Sequence, residues 1–332
     1  MPIEMYAFLH FPEVAEESTS GGAFSAIAEA FFCLDKSAEK VVYGVTLNQD
    51  MNVAYNTAYS LEECYKFRGS KYVQVSMQGV SGDIAQDLQN GKYVLFVGTP
   101  CCVYALKTKL NNAGIESDHL FCVDLICHGT PDVRYWNAYK QWLEERYSSK
   151  LIGYKFRTKQ NPDKPYTALA VFEDGKCLAG SLETAIYNRL FLRNYTLCQG
   201  CFSCRFANLD RQGDLTIGDF WGIEDVMPEF PQKKGISEIL VNTKKGSQLT
   251  NWMIMQYGWH MQCCNTMNYV KYQNNLQKPA EKPIKFDEFV FDFRQKGFGY
   301  VAKKYAGYDL LHRIKFNFAR IMDEHSFGCK TS

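Results

Sequence analysis

Apolar and polar positions along this chain follow one spacing up to about residue 150 and another beyond it. In the first stretch, short apolar runs of strand length are separated by segments with helical spacing. VVYGVTL (Val41 to Leu47), NVAYNTAY (Asn52 to Tyr59), YVLFVGTP (Tyr93 to Pro100) and HLFCVDLI (His119 to Ile126) read as strands. GGAFSAIAEAFF (Gly21 to Phe32) reads as a helix capped by Ser18 or Ser20. Further helices end near Gly91, run from Val103 to about Asn112, and run from about Asp132 to Tyr147. Strands and helices in alternation predict an α/β fold, a mostly parallel sheet flanked by helices.

Past Leu151 the period drops to two. LIGYKFRTK and YTALAVFEDGKCLAG alternate apolar and polar residues, and Asp174-Gly175 is a hairpin turn signal, so an antiparallel insert is expected here. A helix from about Leu182 to Leu192 leads into a cysteine run. GDLTIGDFWG and SEILVNT read as two more strands, with a helix through about Tyr257. From about Trp259 the chain reads as largely helical, after a proline-bearing linker from Lys278 to Pro283. Three regions result: 1–150, 151–258 as part of the same catalytic domain, and a helical region over 259–332. Within the last, LLHRIKFNFARIM (Leu310 to Met322) mixes His312, Arg313, Lys315 and Arg320 with large apolar residues. Such a segment packs on its own domain, or lies on a membrane surface or partner.

The 332 residues carry 37 basic and 36 acidic side chains, a net charge of +1 that gives no bulk attraction to nucleic acid or anionic membrane. No apolar run approaches the ~18–20 residues that span a bilayer. The N-terminus lacks the pattern of a signal peptide. Thirteen cysteines in such a chain read as reduced, cytoplasmic and partly metal-bound.

Three cysteines stand in CQGCFSCRF: Cys198, Cys201 and Cys204. Two more sit at turn-like breaks, Cys101 in GTPCC and Cys127 in DLICHG, at the carboxyl ends of neighbouring strands, where open α/β sheets place ligands. Thiolates at C-x-x-C spacing deliver two sulfurs from one loop to one metal, and two remote thiols complete a four-sulfur site. The C-P that would close a ferredoxin-type run is absent, because position 208 is Asn. The pattern favours iron–sulfur over structural zinc. Cys33, Cys64, Cys122 and Cys177 read as residues with no metal role, and His128 as a donor to a cluster sulfur or a substrate, or as a helix cap.

Three other stretches can meet a phosphate or a planar cofactor. SGGAF offers Ser18, Thr19, Ser20, Gly21 and Gly22 at a helix start, where N–H groups and the helix dipole favour an anion, though Glu16 and Glu17 oppose one. RGSKYVQ presents Lys71 after a glycine turn and before a strand. TIGDFWG (Thr216 to Gly222) can wall off a planar cofactor through Asp219, or bury Phe220 and Trp221 in a tight turn.

Together these stretches resemble the beta subunit of coenzyme F420-reducing hydrogenases and dehydrogenases, in its bacterial branch. The matching motifs, in family order over about residues 6 to 245, are SGGAFSAIAE, FRGSKYVQ, VLFVGTPC, VDLICHG, FRTK, CFSCRFANLDRQGDLTIGDFWG and GISEILVNT. The resemblance implies an oxidoreductase with FAD and one [4Fe–4S] cluster, in which hydride-derived electrons pass singly to the cluster. Its ligands fall on Cys101, Cys127, Cys201 and Cys204. The flavin is expected at Ser20, Gly21 and Gly22, at Gly69, Ser70, Lys71 and Tyr72, and at Gly218 and Asp219. Region 1–150 is then the flavin-binding part. The partners implied are a small-molecule hydride carrier and a separate ferredoxin-like protein, since the family's N-terminal ferredoxin module is absent. Two positions depart from the family: Cys102 replaces the usual glutamine after the first ligand, and Cys198 replaces the usual arginine three before the C-x-x-C. The alternative from another class is a non-enzymatic, zinc-stabilised binding protein.

Overall fold

The computed structural model describes residues 1–159, 167–231 and 235–309. Its strands are β1 (Glu4–Phe8), β2 (Lys40–Leu47), β3 (Val53–Ala58), β4 (Tyr93–Gly98), β5 (Leu120–Leu125), β6 (Leu151–Thr158), β7 (Thr167–Phe172), β8 (Cys177–Ala179), β9 (Leu215–Asp219), β10 (Ser237–Val241) and β11 (Met261–Cys263). The α-helices are α1 (Pro12–Glu17), α2 (Ala23–Cys33), α3 (Val80–Gln89), α4 (Pro100–Asn112), α5 (Val133–Tyr147), α6 (Leu182–Leu192), α7 (Ile223–Val226), α8 (Lys244–Tyr257) and α9 (Phe286–Ala306). Several helix starts follow capping chemistry. The side chains of Asp132, Ser181 and Thr243 accept from the N–H groups of Arg134, Thr184 and Gly246. Among the described residues, no helix is long and apolar enough to cross a membrane. The Leu310 to Met322 segment lies outside the described residues.

The chain divides into two compact units. The first comprises Met1–Thr130 and Cys198–Ala280. It is built on an eight-stranded sheet in the order β11-β1-β10-β9-β5-β4-β2-β3. The α/β class expected from the alternation is present. Strands β2, β4, β5 and β9 run parallel through the middle, with β3 added antiparallel at one end and β10, β1 and β11 at the other. One face buries Phe8, Ile27, Phe31, Leu95, Val123 and Ile239 with Leu249 and Met253 of α8. The other buries Val94, Phe96 and Cys122 with Ile84 of α3 and Val103 and Leu106 of α4. Beyond them lie Met5, Ala7, Phe220, Leu240 and Tyr269. Each large apolar side chain buried this way contributes about 1.5–3 kcal/mol.

The second unit comprises Pro131–Leu197 and the chain from Glu281 onward. Here the period-two stretch forms the expected antiparallel sheet, β6-β7-β8, with Asp174 and Gly175 in the β7–β8 turn. Its core is aromatic. Trp136 lies within 5.9 Å, centroid to centroid, of Tyr139, Tyr154, Phe156 and Tyr187. Helix α9 changes direction at Gly297, where φ is +76°.

Four local expectations are corrected. Helix α2 is not capped by Ser18 or Ser20: Gly22 holds the N-cap with φ +89° and no side-chain bond, and the Ser18 hydroxyl donates to the Val14 carbonyl instead. RGSKYVQ does not enter a strand; residues 71–77 form no ladder. The N-terminal β1 and α1, unforeseen, supply an inner strand and a short helix. The chain after Trp259 is helical only from Phe286; before that it adds β11 to the sheet edge and makes short 3-10 turns.

Candidate functional site

The residues expected to hold the cluster and the flavin all lie in the first unit. Strand β4 ends at Gly98, Thr99 becomes the N-cap of α4, and Pro100 sets its first turn, so Cys101 and Cys102 stand on that turn. The Thr99 hydroxyl is hydrogen-bonded to Cys101 Sγ (3.1 Å) and donates to Cys102 Sγ (3.3 Å). The bond from Cys102 lowers the Cys101 thiol, and its counterpart raises Cys102. Cys102 packs against the α3–α4 core. Strand β5 ends at Leu125, two residues before Cys127.

Cys201 and Cys204 are carried by the 3-10 turn Gln199–Ser203, and Thr130 ties that turn to the Cys127 loop. Its carbonyl accepts the Cys198 N–H at 2.9 Å, and its own N–H donates to Cys201 Sγ at 3.3 Å. Burial first, and then the Cys101, Cys201 and Cys204 sulfurs, push the Cys127 thiol up to about 12. Cys201, raised first by burial, also feels Cys101 and Cys204. Cys127 and Cys201 are thus within electrostatic reach of Cys101 and Cys204. Among the described residues, no three His, Cys, Asp or Glu side chains close into a metal-binding group. The donor chemistry, four thiols from three loops with N–H groups aimed at sulfur, fits an iron–sulfur cluster or zinc. Cys101 is exposed, and Cys127, Cys201 and Cys204 are partly exposed.

Beneath this edge lies a buried ion pair that the sequence pattern did not announce. Arg211 and Asp124 meet at 3.0 Å with side chains 1% and 0% exposed. Asp124 accepts from Arg211 and the Thr216 hydroxyl on one oxygen, and from the Gln212 and Gly213 N–H groups on the other. Arg211 also donates to the carbonyls of Phe206, Asn208 and Leu125. This satisfies both charges, as burial demands. It also ties the segment after Cys204 to the strand that ends before Cys127. A charged residue inside an apolar strand, Asp124 in CVDLI, was the available signal.

The expected cofactor turns also converge, though their groups are largely engaged. The Ser20 hydroxyl donates to the Ile236 carbonyl (2.8 Å), and the Gly21 N–H to Ser237 Oγ (2.9 Å). A Cβ on Gly21 would stand 2.2 Å from the Phe8 carbonyl oxygen and 2.6 Å from the Ser237 nitrogen. Gly21 is thus demanded by chain packing. Gly69, with φ +81°, turns the chain so that the Ser70 N–H reaches Thr19 Oγ1 (2.9 Å), while Arg68 Nε donates to Ser25 Oγ (2.9 Å). Tyr72 is partly buried. Gly218 packs against Ile126, and Asp219 is paired in register with Ser237. Ile236 and Ser237 thereby join the first and third turns, and Thr19 with Ser25 joins the Gly69 turn to the first. Phe220 is buried and Trp221 is 43% exposed.

Two ionisable groups stand out. Lys71 Nζ donates to the carbonyls of Phe67 and Arg68 at 2.9 Å, and burial pushes its ammonium down to about 7. Glu238, opposite Gly218, takes a bond from Gln273 on one oxygen, while the other is buried without a partner. Burial raises its carboxyl to about 8, so it is protonated at neutral pH.

Residues 91–262 match the family described as the C-terminal part of the coenzyme F420 hydrogenase/dehydrogenase beta subunit. That span includes the four cysteines, Gly218 and Asp219, but not the Ser20 and Gly69 turns. No curated protein matches the sequence. Among solved structures, one chain aligns with a TM-score of 0.52 at 14% identity, over 89% of this chain and 92% of its own length. It comes from a xenon derivatization study of the F420-reducing [NiFe] hydrogenase complex from Methanosarcina barkeri. At that identity the likeness is one of fold.

Proposed function

Because the chain belongs to the coenzyme F420 hydrogenase/dehydrogenase beta subunit family, we propose that it is an oxidoreductase subunit that carries FAD and one [4Fe–4S] cluster. It exchanges a hydride with a small-molecule carrier and single electrons with a separate ferredoxin-like partner. The observation that supports the reading is that the Cys127 and Cys201 thiols each feel the charges of Cys101 and Cys204, with the Thr130 N–H donating to Cys201 Sγ. When bound, flavin and cluster supply the conversion of an electron pair into single electrons.

The chain's own residues position and tune. Cys101, Cys127, Cys201 and Cys204 are the proposed ligands, and the Thr130 N–H donates to Cys201. Such N–H donors to sulfur shift a cluster's potential. The Asp124–Arg211 pair fixes the Cys204 segment against β5. Lys71 is the proposed cation for the anionic end of the flavin. Ser20, Gly21 and Gly22 bring the start of α2 beside it, Gly69, Ser70 and Tyr72 complete the neighbouring turn, and Gly218 with Asp219 forms the third wall.

The test is purification without oxygen, with iron, sulfide, zinc and released flavin measured on one sample. The expected result is flavin plus a broad cluster absorbance, both bleached by dithionite. Cys201→Ala is expected to lose the iron and Cys198→Ala to keep it. A colourless protein with stoichiometric zinc overturns the reading in favour of a zinc-stabilised scaffold.

A further inference from the structure

At the other end of the first unit's central strands, a cavity of about 410 Å³ opens between α4, the start of β9 and the start of α8. Its wall carries Lys107, Lys244 and Lys245, with Ser117, Thr243 and Asp214. The Asp214 carboxylate is already used: it accepts the Thr243 hydroxyl (2.6 Å) and the Cys122 N–H (2.8 Å). Lys107 donates to the Gln212 carbonyl (2.7 Å), and Lys245 to the carbonyls of Ser117 (3.0 Å) and Leu120 (2.7 Å). Among the described residues, none of the three lysines makes an ion pair. An ammonium has three donors, so most of theirs have no protein acceptor there. Lys244 and Lys245 also occupy the first two positions of α8, a 14-residue helix. Positive charge there opposes the helix dipole, where acidic residues are the favoured choice. Gly246, whose Cβ would stand 2.2 Å from the Asp214 carbonyl oxygen, lets this helix start sit directly on the cavity floor.

A cavity whose wall sets three lysines against one carboxylate, beside the first N–H groups of a helix, is an arrangement that takes a phosphate. We propose that this cavity binds a small molecule through a phosphate or diphosphate group held by Lys107, Lys244 and Lys245. It is a second site, distinct from the cysteines. Strand β5 starts beside Ser117 and ends before Cys127, and its six residues span roughly 20 Å.

The test uses the full chain, loaded with whatever cofactors it carries, in phosphate-free buffer of low ionic strength. Isothermal titration is run with inorganic phosphate, diphosphate and ADP. Saturable binding of diphosphate at one site per chain is expected. Losing one charge-assisted contact, in Lys107→Ala or Lys244→Glu, is expected to weaken it by roughly tenfold or more. Among the described residues Lys244 makes no side-chain bond to the protein, so its variant reads the site without risk to the fold. Lys36→Ala, on an exposed loop, is the control. ADP binding more tightly than diphosphate would indicate a nucleotide, and equal affinities the phosphate group alone. No saturable binding in the wild type, or binding unchanged in both lysine variants, would overturn the proposal.

Discussion

The two halves of the candidate site are organised in opposite ways. In the cysteine half, backbone and buried charge do the positioning of the thiol-bearing loops. Thr130 holds the Cys201 turn, and the Asp124–Arg211 pair holds the segment after Cys204. In the turn half, the groups that look ready for a phosphate are themselves consumed: Ser20 and Gly21 bond to Ile236 and Ser237. The positive charge there is that of Lys71, whose ammonium donates to the carbonyls of Lys66, Phe67 and Arg68 and has no acid as partner among the described residues. A glycine-rich helix start is therefore not a cradle by composition alone. Its glycines can be required by a neighbouring strand.

The sharpest way to break this contrast is to remove the charge beneath the cysteines. Arg211→Met leaves Asp124 buried and unpaired, and is expected to cost about 3–5 kcal/mol, read from urea unfolding. A loss below about 1 kcal/mol, the size of a surface pair, would show that the clamp does not hold the loop. In the turn half, Gly21→Ala places a methyl against backbone on two sides and is expected to cost about 1–3 kcal/mol. Gly69→Ala, with only Thr19 Oγ1 at 3.9 Å, meets left-handed backbone strain of about 1 kcal/mol. Equal losses would mean that close packing is not what selects Gly21. Ser237→Ala leaves the Gly21 N–H buried without an acceptor, for about 1 kcal/mol; thermal unfolding resolves this.

The last effect is one of pH, read as a slope. Lys71 is held near 7 in the folded chain, against about 10.4 when unfolded. Between those values the unfolded chain binds the extra proton, so stability rises with pH across that window and this group adds no slope below it. Lys71→Met should remove that rise, checked by comparing urea midpoints near pH 7 and about pH 9.5. A variant with the wild-type slope would show that Lys71 keeps its ordinary basicity.

Much of the first unit's scaffold was legible because its strands are nearly continuous apolar runs bounded by glycine, and the C-x-x-C spacing declares itself. Strand β1 was missed because EMYAF is short and its partners come from the far end of the chain. The strand expected after Lys71 failed because residues there lack a neighbouring ladder, which local pattern does not report. Arg211, Ser237 and Glu238 are invisible to spacing rules: their roles arise from contacts across 87, 216 and 35 positions of sequence. The clue was weaker: a single acid inside CVDLI or SEILV must find a partner or lose its charge.

The position of β1 between β10 and β11 has a consequence for synthesis. Both neighbours end more than two hundred residues later, at Val241 and Cys263. At ~5–20 residues per second on the ribosome, an emerging β1 waits on the order of ten seconds or more before either partner exists. Through that interval an apolar strand with two unpaired edges needs shelter, so the yield of folded protein should track chaperone supply more closely than the stability of the finished sheet would suggest.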